Sequence, residues 1–228
     1  MKKQVSTLIT LLIFICAGSQ ARIYYSYSTG NWNNSGTWST VSFVSAVNSG
    51  TFPSSNDTVY INNGITVTVN TNSSAGLVVI GQGISGSLIF GSSANYTLTV
   101  NQNVTVAVGA NFGYNSNNKR THNLNLHGNF TNNGNVNFYF DNNDRVNLTF
   151  LGASTKTVSG IGVWDLNDVN MNLTSRTDIL DIANSDFENA LRTISFTVTN
   201  STESVIGIPI RLWTPGFLIF SIKLSNEI

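Results

Sequence analysis

The chain has very little cysteine, proline, histidine and charge. Its 228 residues include one cysteine, three prolines and two histidines. Charged residues make up 10% of the chain, against about 25% in ordinary soluble domains. A formal net charge of zero provides no basic surface for nucleic acid, and a hydrophobic content of 41% argues against disorder. The composition therefore predicts a folded protein that does not bind nucleic acid.

The single cysteine, Cys16, lies in an apolar run near the amino terminus. The run covers residues 8–18, follows a basic start, and is too short to span a bilayer. Small residues then occupy the −3 and −1 positions of a cleavage site after Ala21. This order is typical of a secretory signal peptide. The sequence thus predicts a signal peptide over residues 1–21 and a secreted or cell-surface mature chain without cysteine or disulfides.

No helical period follows the leader, and short alternating or β-branched runs follow one another instead. The stretch from His122 to Phe140 alternates apolar residues with polar ones that are mostly Asn. Asn makes up roughly one residue in seven, far above ordinary usage. Gly, Asn and Ser separate the runs. The pattern predicts an all-β protein and leaves the abundance of a poor strand former to be explained.

The spacing of the runs favours a repeat. Strand starts at Val104, Leu124, Val146 and Leu166 lie 20, 22 and 20 positions apart. A period near 20 is typical of solenoids, whereas an antiparallel sandwich gives no reason for it. We therefore predict a parallel β-helix (β-solenoid) with coils of roughly 20–22 residues. The predicted divisions of the mature chain are an N-terminal cap with the first strands (22–63), the solenoid (64–204) and an apolar terminal segment (205–228).

A solenoid accounts for the asparagines. Equivalent residues of successive coils lie above one another, so Asn side chains form hydrogen-bonded ladders without the repulsion of stacked like charges. Asn also suits tight corners, which we expect at Asn63-Gly64 and Asn133-Gly134. The alternation predicts a set of inward-facing residues: Leu124, Leu126, Phe130, Val136, Phe138 and Phe140.

Several segments together resemble the first coils of large secreted and cell-surface β-helix proteins of the Bacteroidetes type. The opening is similar to the G8 domain pattern G-x-W, T-W, P, D-x-V-x-I, G-x-T-V-x-V. The matching stretches are Gly30–Trp32, Thr37-Trp38, Pro53, Asn56–Ile61 and Gly64–Val69, and residues 128–136 and 156–172 resemble internal coils of those proteins. Near the end, residues 205–207, Arg211, 213–216 and Phe220 resemble a recurrent segment that precedes further coils.

The resemblance implies surface display, adhesion or carbohydrate contact, often with export by the type IX route, although no C-terminal sorting domain is present in the sequence. The expected function is a non-enzymatic extracellular module, part of a longer protein, whose partners are polysaccharides or host and cell-surface glycans. Two alternatives remain open. One is a carbohydrate-active, polysaccharide lyase-like β-helix, and the other is a structural spacer of a surface protein.

Trp32 and Trp38 are the first candidate site residues. Their rings could stack on sugar rings, which makes them candidate ligand-binding residues. Alternatively, they could plug the open end of the solenoid, where the first coil has no neighbour.

Asp144, Asp165 and Asp186 are candidate metal ligands because they lie 21 positions apart. On coils of that length they would form a column, and a calcium ion would relieve the repulsion between them. Such a column would support the lyase alternative, and without it no cofactor is predicted. The two histidines, His122 and His127, are five positions apart and should point to opposite faces of a strand, which argues against a shared metal.

The chain from Val205 to Ile222 is almost wholly apolar. Two prolines and Arg211 make a membrane span a poor interpretation, so no transmembrane segment is predicted. A β-helix exposes apolar side chains and strand edges at an uncapped end. We therefore expect the natural protein to continue beyond this segment, or the chain to self-associate through its C-terminal coil.

Overall fold

The computed structural model describes residues 20–114, 119–166, 168–173, 180–183, 193–198, 210–212 and 220–222. The chain winds through a succession of short strands that belong to three sheets, and through most of its length it visits them in the order A, B, C. Neighbouring strands of each sheet come from successive coils and pair in parallel, with antiparallel pairs confined to the amino-terminal cap and one hairpin. The predicted all-β, parallel β-solenoid fold is therefore confirmed.

Sheet A contains nine strands, which are β1 (Ile23–Ser26), β3 (Trp38–Ser39), β4 (Thr58–Ile61), β7 (Leu77–Ile80), β10 (Val104–Val106), β13 (Phe130–Asn132), β17 (Lys156–Ser159), β20 (Leu180–Ile182) and β22 (Ile210–Leu212). Sheet B contains six, which are β2 (Gly30–Asn31), β5 (Thr66–Val69), β8 (Ser87–Phe90), β11 (Asn111–Tyr114), β14 (Asn135–Asn137) and β18 (Val163–Asp165).

Sheet C contains the longest strands. Its members are β6 (Ser73–Ala75), β9 (Thr97–Val100), β12 (Thr121–Leu126), β16 (Asp144–Leu151), β19 (Asp168–Leu173), β21 (Thr193–Val198) and β23 (Phe220–Ile222), with β15 (Tyr139–Asp141) paired to β16 alone. A 3₁₀ turn at Ser35–Thr37 is the one helical element in the described part of the chain. No described helix is long and apolar enough to cross a membrane.

The core follows from the alternation of each strand. Val67 and Val69 of β5, for example, are fully buried, while the threonines that alternate with them face outward and are half-buried. Equivalent inward residues of all three sheets form one hydrophobic core along the axis. The expected inward residues from Leu124 to Phe138 are all buried. Phe140 is the exception and is 59% exposed, because it lies in the antiparallel hairpin of β15 and β16.

The register of the coils differs from the predicted one. Val78, Val104 and Phe130 are aligned in sheet A, each 26 positions from the next. Other aligned pairs are closer or further apart: Thr58 and Leu77 differ by 19 positions, whereas Phe130 and Val158 differ by 28. The coils are therefore uneven, and most are longer than the expected 20–22 residues.

The predicted stack of Val104, Leu124, Val146 and Leu166 is wrong, although all four side chains are buried. Val104 lies in sheet A, whereas Leu124 and Val146 lie in sheet C. Val146 is aligned with His122, two residues before Leu124. Residues spaced by 20 to 22 positions thus lie on strands of different sheets, or at positions that are out of register within one sheet.

Asparagines at the corners join successive coils. The side-chain Oδ1 of such an Asn accepts the backbone N–H of a residue in the next coil, where the chain turns and the regular ladder is interrupted. The pairs, given as acceptor and donor residue, are Asn72 and Thr97, Asn95 and Thr121, Asn103 and Asn129, Asn129 and Thr157, and Asn133 and Ile161, at 2.9 to 3.3 Å. Asn therefore occupies the corners as predicted, but for another reason: no described Asn has the left-handed backbone expected of it, and its side chain accepts backbone N–H groups instead.

Asn63 shows how one corner residue serves several groups. Its Oδ1 accepts the backbone N–H groups of Gln82 and Ser85 at 2.9 and 3.1 Å. Gly64, which follows it, has a φ of 73°, a left-handed conformation that glycine adopts without strain. The expected Asn63-Gly64 corner is therefore present.

The amino-terminal residues close one end of the solenoid. Strand β1 pairs with β4 in parallel and with β3 antiparallel, so its outer edge is already occupied. The backbone N–H of Trp32 donates to the carbonyl oxygen of Thr68 at 2.7 Å, which joins the cap to the first coil. Covering the edge of a sheet in this way removes unpaired backbone groups that would otherwise invite aggregation.

At the other end, strands β22 and β23 extend sheets A and C by parallel pairing with β20 and β21. These strands are the described parts of the apolar terminal segment, and they continue the ladder as the expected further coil would. The predicted self-association of this end depends on side chains outside the described residues and stays a prediction.

Candidate functional site

The outer surface of sheet C carries aligned rows of neutral polar residues. In one row, Thr97, Asn123 and Asn147 are in register on β9, β12 and β16. In the second row, Thr99, Asn125, Thr149 and Asn170 are in register on β9, β12, β16 and β19. All seven are half-buried, as expected for side chains that stand on the outer face of a sheet. We call these seven residues the amide–hydroxyl face.

Hydrogen bonds between side chains hold the first row in place. Nδ2 of Asn147 donates to Oδ1 of Asn123 at 3.2 Å, and Nδ2 of Asn123 approaches Oγ1 of Thr97 at 3.5 Å. An Asn amide has two N–H donors and an oxygen with two lone pairs. Each ladder bond uses one donor and one lone pair, so every amide of the row retains hydrogen-bonding capacity toward solvent.

The geometry of the face is regular because the backbone is regular. Neighbouring strands of a sheet lie about 4.8 Å apart, and alternate residues of one strand lie about 6.6 Å apart. The face therefore presents amides and hydroxyls on a nearly rectangular grid. Arg145, aligned with Thr121 in the same sheet, stands at its margin.

A similar but smaller ladder lies on sheet B. Asn111 and Asn135 are in register, and Nδ2 of Asn135 donates to Oδ1 of Asn111 at 3.3 Å. The flanking positions on this column are Ser87 and Val163, so the row of amides is short. The sheet B pair provides an internal comparison for the longer rows of sheet C.

Trp32 and Trp38 lie inside the cap. Both side chains are fully buried, with ring centroids 5.4 Å apart in an edge-to-face arrangement. Nε1 of Trp38 donates to the carbonyl oxygen of Trp32 at 2.7 Å, and Nε1 of Trp32 donates to that of Pro53 at 3.4 Å. A sugar has no ring face on which to stack here, so the ligand-binding prediction for Trp32 and Trp38 is corrected: they pack the cap.

The predicted carboxylate column is not formed by the residues that can be placed. Asp144 begins β16 in sheet C, whereas Asp165 ends β18 in sheet B and is aligned with Asn137. Asp186 lies outside the described residues. Within the described residues, no three His, Cys, Asp or Glu side chains are grouped so that they could hold a metal ion. The column was predicted from a spacing of 21 positions, but the coils that carry Asp144 and Asp165 do not repeat at that length.

Asp144 and Asp165 nevertheless share a neighbour. Burial raises the pKa of the Tyr114 hydroxyl, and the negative charges of Asp144, Asp165 and Asp141 raise it further, in that order. Tyr114 therefore stays neutral throughout the physiological range.

The two histidines lie on opposite sides, as the alternation predicts. His122 is fully buried, and its ring stacks on Phe90 and Tyr96 with centroids 4.9 and 5.9 Å away. Burial lowers the pKa of His122 to about 4; the charge of Asp144 opposes this shift and that of Arg120 adds to it. His127 follows the strand and is half-buried. The arrangement excludes a site that both imidazoles share.

Sequence reasoning found the outward asparagines but not the alignment that makes a surface of them. The available signal was a recurring x-apolar-x triplet of Thr or Asn, at residues 97–99, 123–125 and 147–149. Comparison of the chain with models of protein families, with curated proteins and with solved structures finds no match. The resemblance to the opening coils of Bacteroidetes-type surface proteins therefore stays a prediction.

Proposed function

We propose that this chain is a non-enzymatic extracellular or cell-surface β-solenoid module that contacts neutral carbohydrate through the amide–hydroxyl face. The observation that supports it most is the alignment of Asn and Thr side chains on four successive strands of sheet C. The predicted leader and the resemblance to secreted β-helix proteins support export of the chain.

The chemistry of the face suits a polyhydroxylated partner. Sugar hydroxyls both donate and accept hydrogen bonds, and so do the Asn amides and Thr hydroxyls of the two rows. The seven residues carry no charge, so a neutral glycan would not displace the strongly held water of an ionic group. Individual contacts of this kind are weak, but a repeating polysaccharide can make several at once, and their effects multiply.

Binding to insoluble neutral polysaccharides tests the proposal. The exported chain would be mixed with suspensions of cellulose, chitin and starch, and the bound fraction measured as a function of polysaccharide concentration. The test variant is Asn125→Ala with Asn147→Ala, which removes one amide from each row of sheet C. We expect at least about a tenfold loss of affinity, because two hydrogen bonds of about 1 kcal/mol each are removed.

The matched control is Asn111→Ala with Asn135→Ala, which removes the amide ladder of sheet B. It should bind as the native chain does, and both variants should give native circular dichroism spectra. Equal losses in the two pairs would indicate a general effect of losing asparagine and would contradict a site on sheet C. Failure of the native chain to bind any of the polysaccharides would favour the structural spacer.

The lyase alternative predicts a different result. A polysaccharide lyase acting on an acidic polymer forms an unsaturated uronate, whose absorbance rises with time. Incubation with polygalacturonate and calcium would show that rise if the alternative were correct. The separation of Asp144 and Asp165 on different sheets gives this alternative no calcium column in the described residues.

A further inference from the structure

A buried carboxylate lies at the start of the first complete coil. The Asp57 side chain is 3% exposed, directly before β4. Its Oδ2 accepts the backbone N–H and the hydroxyl of Ser54, each at 2.7 Å, and its Oδ1 accepts the backbone N–H of Arg22 at 2.8 Å. The donors that the structure gives this carboxylate are thus two amides and one hydroxyl, all of them neutral.

Arg22 occupies a defined place beside Asp57. Its carbonyl oxygen accepts the backbone N–H of Thr58 at 2.8 Å, which fixes the peptide in line with β1 and β4. Its guanidinium is directed elsewhere and donates to Oγ1 of Thr51 at 3.4 Å. Gln20 and Ala21, which precede it, are exposed. The nitrogen of Arg22 therefore lies at the boundary between the folded cap and the exposed residues Gln20 and Ala21.

The surroundings leave room at this boundary. A recess of about 240 Å³, open to solvent, is lined in part by both Arg22 and Asp57. The Tyr24 hydroxyl, which hydrogen-bonds to Oγ1 of Thr51 at 2.7 Å, forms part of its wall. Its lining is Arg22, Tyr24, Thr51, Phe52, Ser54 and Asp57. A group larger and more hydrated than a peptide N–H can be accommodated there without repacking the core.

We infer that Asp57 is the binding site for the α-ammonium group that cleavage between Ala21 and Arg22 creates, so that removal of the leader completes the cap. The inference rests on the export that the proposed function assumes. A processing peptidase hydrolyses the Ala21–Arg22 bond with one water molecule. The leader leaves with a carboxylate on Ala21, and the nitrogen of Arg22 becomes a protonated amine in place of an amide.

The charge of that nitrogen changes while its position need not. An amide N–H at 2.8 Å from Oδ1 becomes one N–H of an ammonium at the same place, and a neutral hydrogen bond becomes a charge-assisted one. A buried carboxylate costs least when it is both hydrogen-bonded and paired with a cation. Ser54 supplies the hydrogen bonds and the new terminus supplies the cation. The mature chain is therefore more stable than the unprocessed chain.

The experiment uses the exported product of the full chain. Amino-terminal sequencing first establishes whether the product begins at Arg22. Acetic anhydride at near-neutral pH then acetylates the α-amine in preference to lysine, because the ordinary pKa of an α-amine lies more than two units lower. The melting temperature of the acetylated product should be about 3–8 °C lower than that of the untreated product, as expected for loss of a partly buried ion pair.

The Asp57→Asn variant should abolish this difference, since acetylation then removes no ion pair. The matched control is Arg22→Ala, which keeps the α-amine but removes the guanidinium, and it should retain the full difference. If Asp57→Asn does not fold, the acetylation rate provides a second measurement. Pairing with Asp57 should slow acetylation at least about tenfold in the folded protein relative to the chain in urea.

The outcomes separate this inference from the proposed function. The inference would be overturned by a product that begins at Arg22 but melts at the same temperature before and after acetylation, and is acetylated at the same rate when folded and in urea. Glycan binding could still hold in that case. A product with another amino terminus would likewise overturn it. A chain that is exported and stabilised as expected but binds no glycan would overturn the proposed function alone.

Discussion

The backbone N–H of Tyr96 donates a hydrogen bond of 3.1 Å to Nδ1 of His122, across two successive coils. An imidazole nitrogen that accepts a hydrogen bond carries no proton, so the proton of the neutral ring is on Nε2. Nε2 is buried and has no hydrogen-bond partner among the described residues. The core thus holds His122 as a neutral aromatic side chain, stacked between other rings.

This environment predicts that acid destabilises the fold through His122. Its pKa falls from 6.5 to about 4 in the folded chain, so the unfolded chain binds the proton more tightly. The contribution of His122 to the free energy of unfolding is therefore fully present above pH 6.5 and is lost as the pH falls from there toward 4. We expect a loss of up to about 3 kcal/mol in the free energy of unfolding from this residue, measured by urea titration across that range.

The variant His122→Phe separates this effect from the titration of carboxylates. It retains an aromatic ring against Phe90 and removes the ionisable group, so the fall in stability between pH 6.5 and 4 should be smaller than in the native chain. His127→Phe removes the other histidine and should leave the fall unchanged. If the two variants show the same pH dependence, burial of a neutral His122 is not the cause.

A matched pair of glycines tests the close approach of coils at one corner. Gly83 and Gly86 both have positive φ, of 95° and 115°. A Cβ on Gly83 would meet no atom within 4 Å, whereas one on Gly86 would lie 2.8 Å from the carbonyl oxygen of Asn62. Gly83→Ala should cost about 1 kcal/mol from backbone strain alone, and Gly86→Ala clearly more, because the coil must also shift. Equal urea midpoints would contradict the packing of this corner.

The buried tryptophans predict a structural rather than a binding phenotype. Trp38→Ala should destabilise the chain by about 3–5 kcal/mol, because a large side chain leaves a cavity beside Trp32. Trp38→Phe should cost less, since a ring remains, but it loses the hydrogen bond to the Trp32 carbonyl. Val44→Ala, at a side chain 92% exposed, is the control and should change little. Loss of glycan binding by a fully folded Trp38→Phe chain would contradict the assignment to the cap.

The fold could be predicted from the sequence because the alternation of apolar and polar residues is a local pattern, which shows where the strands lie and which of their side chains face the core. Residues from Leu124 to Phe138 are buried where the pattern predicts. Phe140 departs from the pattern because a hairpin interrupts the coil, and a hairpin needs only the few residues between Tyr139 and Asp144. A local pattern shows which face a residue occupies, but it does not show which strand lies above it.

The register could not be predicted for the same reason. Corner length determines which residues align, and the corners vary, so Asp144 and Asp165 lie on different sheets although their spacing suggested one column. Asn123 and Asn147 are aligned although they lie 24 positions apart, with the hairpin in the segment between them. The amide–hydroxyl face is therefore a property of the folded register. Burial of the two tryptophans in the cap, by contrast, was one of the two alternatives that their place near the first coil left open.

The corner asparagines lead to the last prediction. Asn129 joins three coils, because its backbone N–H donates to Oδ1 of Asn103 and its own Oδ1 accepts the backbone N–H of Thr157, both at 2.9 Å. Asn129→Ala removes the acceptor and leaves the Thr157 amide to water. Asn129→Asp keeps an oxygen at that position. We expect the alanine variant to lose about 1 kcal/mol of unfolding free energy and the aspartate variant less than half of that.

Asn135→Ala is the matched control, because the amide of Asn135 bonds to the side chain of Asn111 and supports no backbone group in the described structure. Its loss should be under about 0.5 kcal/mol, since two exposed side chains simply return to water. Urea titration of the three variants under one condition provides the comparison. If Asn129→Asp costs as much as Asn129→Ala, the oxygen of the side chain is not what joins the coils. If Asn135→Ala costs as much as Asn129→Ala, asparagine stabilises this solenoid through the faces of its sheets rather than through its corners.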